Sequence, residues 1–194
     1  MMNVDRFKQN FDGASRPNRF AVLGEIGAGG GNINNIVVRA ASMPSVTVGM
    51  IRVPFRGRIV KIPGDRTYEE WTFTVYDGFK AGVEFRDKFL KWNTQLNDHE
   101  LNTPTGTFAG NPVGGGIDMM DQDTFTEWSV HQLDLLGQPV RSVVLKNCWP
   151  TVVSELALNY DNSDQLAEFS VTLAYDWYED FGTNVSPMSA GLVI

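Results

Sequence analysis

Two residue types that carry much of enzyme chemistry are scarce in this chain. Among 194 residues there are one cysteine and two histidines. Cys148 has no partner for an internal disulfide and fits a reducing interior. Zinc needs several thiolate or imidazole ligands, and the chain is short of both. The first ten residues hold no apolar run, so no secretory signal is expected. No stretch has the length and apolarity of a membrane span. An excess of positive charge is also missing. The net charge of −7 argues against a nucleic-acid binder, which carries a basic surface.

What is present is apolar and aromatic. The hydrophobic fraction is 42%, with 12 Phe, 5 Trp and 5 Tyr, which suits a folded domain with one good core. Charge is uneven along the chain. Met1 to Arg66 holds ten Lys/Arg and four Asp/Glu, a net of +6, whereas Thr67 to Ile194 holds six and nineteen, a net of −13. Either both sets are scattered over one solvated surface, or a basic patch on one copy meets an acidic patch on the next. From charge alone the scattered surface is the default.

Period-2 patterning dominates. Phe169, Val171, Leu173, Tyr175 and Trp177 alternate with Ser170, Thr172, Ala174 and Asp176, which predicts one long half-buried strand. Trp71, Phe73 and Val75 alternate in the same way, as do Leu156, Leu158 and Tyr160. Shorter strands are expected at 20–26, 36–40, 46–50, 125–135 and 140–146. One segment differs. Ala81, Phe85, Phe89, Trp92 and Leu96 recur at helical spacing, with Glu84/Lys88 and Asp87/Lys91 as supporting pairs, so a helix is expected near 81–96. The fold class is therefore mainly β: two packed antiparallel sheets, a sandwich or partly open barrel, with one flanking α-helix. A single domain over 1–194 is expected, with a long loop at 102–123 and a C-terminal arm at 181–194. Gly27 to Asn32 reads as a turn between strands.

No catalytic constellation emerges. His131 sits in a predicted strand and His99 just past the helix, without carboxylate or cysteine at a motif spacing. Cys148 reads as a small buried residue. The glycines at 27–31 lack the Gly-Lys-Ser/Thr ending of a phosphate loop. The acidic residues at 118–123 lack the order of a calcium loop. No catalytic residue, cofactor-binding residue or metal ligand is assigned, no cofactor is expected, and an enzyme is the least favoured class.

The order of local motifs is more informative. Arg16-Pro17-Asn18-Arg19-Phe20 opens the first strand. Ile62-Pro63-Gly64-Asp65-Arg66-Thr67-Tyr68-Glu69-Glu70-Trp71 leads into another. The helix with Phe89 and Trp92 follows, then Leu136-Gly137-Gln138-Pro139, Asn147-Cys148-Trp149-Pro150, and the strand ending in Tyr175-Asp176-Trp177. This series resembles the tail tube proteins of contractile-tailed bacteriophages over nearly the whole chain. The glycine-rich turn and the long loop depart from the pattern. The resemblance implies two antiparallel sheets packed at a steep angle beside one helix. It implies rings of six copies stacked head to tail into the inner tube of a virion tail, assembled in the host cytoplasm. Its implied partners are further copies of itself, the tail sheath protein, a baseplate or tube initiator, and, within the lumen, the tape measure protein and genomic DNA, held transiently. No membrane binding is predicted. Arg52, Arg56, Arg58, Lys61 and Arg66 are the candidate subunit-interface residues. A baseplate hub, a tube cap or a secretion-system tube is the runner-up, and a glycan-binding β-sandwich a more distant one.

Overall fold

The structure is a computed structural model that describes Val4 and residues 16–27, 29–33, 37–78, 84–100, 124–161 and 164–182. The expected loop at 102–123 lies outside the described residues, as does 183–194 of the expected C-terminal arm.

Ten strands and one long helix make up the described fold. They run β1 (Phe20–Ile26), β2 (Gly31–Ile33), β3 (Val38–Ala41), β4 (Val46–Phe55), β5 (Arg58–Tyr68), β6 (Trp71–Tyr76), α1 (Phe85–Leu96), β7 (Thr126–Leu133), β8 (Pro139–Val153), β9 (Glu168–Ala174) and β10 (Trp177–Asp180). The paired strands are antiparallel throughout. The main sheet follows the order β2-β1-β7-β8-β9-β6-β3, an open path, while β4 and β5 pair only with each other.

The long strand β8 joins two sheets. Its first part lies between β7, from Leu133↔Pro139 to Thr126↔Cys148, and β10, at residues 143–146. From Trp149 onward it pairs with β9 instead. The change of partners coincides with Asn147, whose φ of 58° is left-handed. Asparagine tolerates that conformation better than most residues, and a kink there lets one strand turn from one sheet into the other.

The two sheets face each other across an aromatic core. Trp71, Phe73 and Val75 alternate inward on β6, and Trp128 and Val130 do so on β7. The rings of Phe73 and Trp128 lie 5.0 Å apart, and those of Trp71 and Phe73 4.7 Å apart. Such ring pairs add about 0.5–1.5 kcal/mol each beyond simple burial. The helix closes the core with Phe85, Phe89 and Trp92, three of the five residues that its spacing selected; Leu96 is half-buried and Ala81 lies outside the described residues. Its first turn is held by Asp77, whose carboxylate accepts from the Arg86 amide (3.3 Å). The Asn93 side-chain amide donates to the Pro150 carbonyl (3.3 Å), tying α1 to β8.

Several expectations need correction. The alternation at 169–177 is two strands, because β9 ends at Ala174 and β10 begins at Trp177. The break lies beside the Asn147 kink: the Asp176 amide donates to the Lys146 carbonyl (3.2 Å) and Asn147 donates to the Asp176 carboxylate (2.8 Å). The run at 156–160 is not a strand. Leu158 and Tyr160 are fully outside, and the ladder stops where Ser154 and Ser170 bond each other. The strand β8 runs past residue 146 through Pro150, and β5 was not expected at all. The helix begins at Phe85, with Glu84 as its N-cap.

Candidate assembly surface

His131 and Cys148, read from the sequence as structural residues, are both buried. His131 is buried on β7 between two serines. Ser129 donates to the Leu23 carbonyl (3.3 Å), so its oxygen is left to accept from His131 Nε2 (3.0 Å), and Ser142 donates to Nδ1 (2.6 Å). This order of donors calls for a neutral imidazole with its proton on Nε2. Burial lowers its pKa in the same sense. Cys148 is buried in the core, and desolvation pushes its thiol far above the reactive range. His99 stands at the surface beside Thr94 (3.2 Å). Among the described residues no group of His, Cys, Asp and Glu could hold a metal ion.

The feature that stands apart is the β4–β5 hairpin. Its turn is the pair Arg56-Gly57, with φ of 45° and 78°, the type I′ geometry that suits a two-residue connection. Its base is anchored. Tyr68 packs edge-on to Tyr178, 5.4 Å away, and the Tyr175 hydroxyl donates to the Ser45 carbonyl (3.4 Å). Burial pushes the Tyr175 phenol up to about 12, so it stays a donor at ordinary pH. Beyond this base every residue of β4 is exposed, and β5 is exposed save for Gly64 and Tyr68.

Register sorts the arm into two faces. Gly64 and Asp65 together oppose Gly49, a bulge that separates the base from the distal arm. Beyond it Ile51 faces Ile62, Val53 faces Val60 and Phe55 faces Arg58 on one side. The other side pairs Met50 with Pro63, Arg52 with Lys61 and Pro54 with Ile59. The first face is almost wholly apolar, yet Ile51 is 54% exposed and Phe55 60%. The second sets two like charges directly opposite each other, which is unfavourable without an acidic neighbour. A free two-stranded hairpin is at best marginal in water, and a contiguous apolar surface of this kind marks a contact site.

All five basic candidates fall on this arm: Arg52 on β4, Arg56 at the turn, and Arg58, Lys61 and Arg66 on β5. None forms an ion pair with another described residue, although Arg56 rests over the Phe55 ring at 5.5 Å. Charge marked the arm in the sequence. Its apolar face went unnoticed, because Pro63, Gly64 and Asp65 interrupt the alternation and hide β5.

Comparison with known proteins agrees with this architecture. The sequence model of the family described as phage tail tube protein matches residues 15–180. The tail tube protein gp19 of Enterobacteria phage T4 is 30% identical over 181 residues, covering 92% of this chain and 100% of that protein. In fold, the chain is similar to a component of the sheath–tube complex of an extracellular contractile injection system, at a TM-score of 0.56 and 14% identity, covering 94% and 99% of the two chains. It is also similar to a chain of the anti-feeding prophage baseplate, at a TM-score of 0.58 and 13% identity, covering 86% and 95%.

Proposed function

The chain belongs to the phage tail tube protein family, structural components of the virion tail, and on that premise we propose that its copies form six-membered rings stacked head to tail into an inner tube. The observation that carries this is the hairpin, a long two-stranded arm exposed on both faces and anchored at its base. Contiguous apolar surface of that extent marks an interaction site, and burying it against a neighbour is favourable. In a homopolymer that neighbour is another copy. A head-to-tail contact between unlike faces closes into rings or extends into filaments, and a tube requires both. Arg52, Arg56, Arg58, Lys61 and Arg66 then lie at contacts between subunits or between rings.

The finished tube is a conduit for the genome during ejection, enclosed by the tail sheath protein and begun on a baseplate or tube initiator. Tape measure protein and DNA occupy its lumen in turn, without specific binding. The net charge of −7 suits this role, because each phosphate contact would retard passage. A hub, a cap or a secretion-system tube shares the fold and differs in whether stacking stops.

Negative-stain electron microscopy of the purified protein, over a range of concentration and salt, tests the proposal. Long hollow tubes of uniform width are expected. Single rings at every concentration would favour a hub or cap, and a monomer that ignores an added baseplate would overturn self-assembly. Arg56→Glu with Arg58→Glu is expected to impair assembly at low salt.

A further inference from the structure

The outer face of the sheet that holds β1, β7 and β10 carries a groove lined by described residues. The register that turns Val22, Trp128 and Leu145 toward the core turns Leu23, Ser129, Val144 and Glu179 outward in one row across β1, β7, β8 and β10. Leu23, Val144 and Phe181 contribute apolar lining to the groove, and Glu25, Glu127 and Glu179 line it with carboxylates. Lys146 also lines the groove, and its ammonium already engages Glu127 at 2.6 Å. Glu25 and Glu179 form no ion pair with a described residue.

The hairpin offers the complementary pattern. On its second face the Arg52–Lys61 pair lies between two apolar pairs, Met50–Pro63 and Pro54–Ile59. Two cations that pair with no described residue, flanked by apolar side chains, match two carboxylates that likewise pair with no described residue and stand beside apolar lining. An open groove in water would leave that lining wet, and the arm would leave like charges opposed. Each surface supplies what the other lacks. The arm does not occupy its own groove, since both of its faces are exposed.

We propose that the Arg52/Lys61 face of the hairpin docks in the Glu25/Glu179 groove of a second copy of this chain, a contact that rests on the self-assembly proposed above. The contact is heterologous, so one copy presents an arm and an empty groove at once, and the series has no built-in end. The opposite, apolar face of the arm stays available for a different neighbour.

The test uses two full-length variants: Arg52→Glu with Lys61→Glu, and Glu25→Lys with Glu179→Lys. Polymer is measured by sedimentation and microscopy at low salt, after circular dichroism has established that each variant folds. Each alone is expected to raise the critical concentration for assembly at least tenfold. An equimolar mixture is expected to assemble again, because each arm then meets a groove of opposite charge. If the acid reversal leaves assembly intact, or the mixture fails to restore it while wild type forms tubes, the pairing is overturned and self-assembly stands. A wild type that never polymerises overturns both. Should a reversal variant misfold, the neutral pairs Arg52→Gln/Lys61→Gln and Glu25→Gln/Glu179→Gln replace it. Salt is then expected to raise the critical concentration of wild type but not of either neutral variant. An equal salt response in all three would overturn the pairing.

Discussion

Gly24 lies directly beneath the indole of Trp128, its cross-strand partner, so closely that a β-carbon at Gly24 would overlap the ring. The indole is fully buried and touches the rings of Trp71, Phe73 and Phe89. The absence of one side chain on β1 therefore makes room for the aromatic centre of the core.

Gly24→Ala is expected to destabilise the monomer by about 1–3 kcal/mol, the usual cost of forcing extra atoms into a packed core. Near-ultraviolet circular dichroism, which senses the indole, should change along with the melting temperature. An unchanged spectrum and melt would mean that Trp128 has room to move.

Asn147 carries the kink that lets β8 serve two sheets. Alanine at this left-handed position is expected to cost about 1–2 kcal/mol and to lose the bond to Asp176 besides. Glycine keeps the conformation and loses only the bond, so Asn147→Gly should be the milder change in urea unfolding. The reverse order would show that the side-chain bond outweighs the backbone conformation.

His131 makes stability depend on pH. The folded state holds the imidazole neutral and lowers its pKa, whereas the unfolded chain titrates near 6.5. Above that pH the contribution is fully present. As pH falls below about 6.5 the unfolded chain gains a proton first, so stability is lost progressively down to the folded pKa. Unfolding midpoints of wild type and His131→Gln, measured from pH 7.5 to 5, should diverge at the acid end, with wild type falling more steeply. Parallel curves would remove His131 as the cause.

The apolar face of the hairpin predicts a separation of folding from assembly. Ile51→Thr, Val53→Thr and Val60→Thr together alter only exposed side chains. The monomer's melting should therefore stay within about 0.5 kcal/mol of wild type for each change. Tube formation should need at least tenfold more protein, since the apolar surface available for burial against a neighbour is reduced. A large fall in monomer stability would instead place that face against the body of its own chain.

Much of the fold was legible because burial leaves a periodic trace. Strand β1 matched its expected bounds, β6 matched to within one residue, and the helix followed its apolar stripe. The failures share a cause. Alternation at 156–160 has the period of a strand, but no strand among the described residues pairs with it. The alternation at 169–177 runs unbroken across two strands, because β9 and β10 lie beside the two halves of the same bent partner. In the candidate site, the basic residues showed in the charge count. The groove proposed to receive them did not, since Glu25, Glu127 and Glu179 come from three separate strands.

The mainly β character, the place of the helix, the aromatic core and the membership of a structural family follow from local periodicity and from motif order along the chain. Tertiary structure alone decided three other matters: where β8 bends between two sheets, which strands leave their partners, and which arm stands free with an apolar and a basic face. Each depends on register between segments far apart in sequence, and register is set by how whole faces pack, which no short window of residues records.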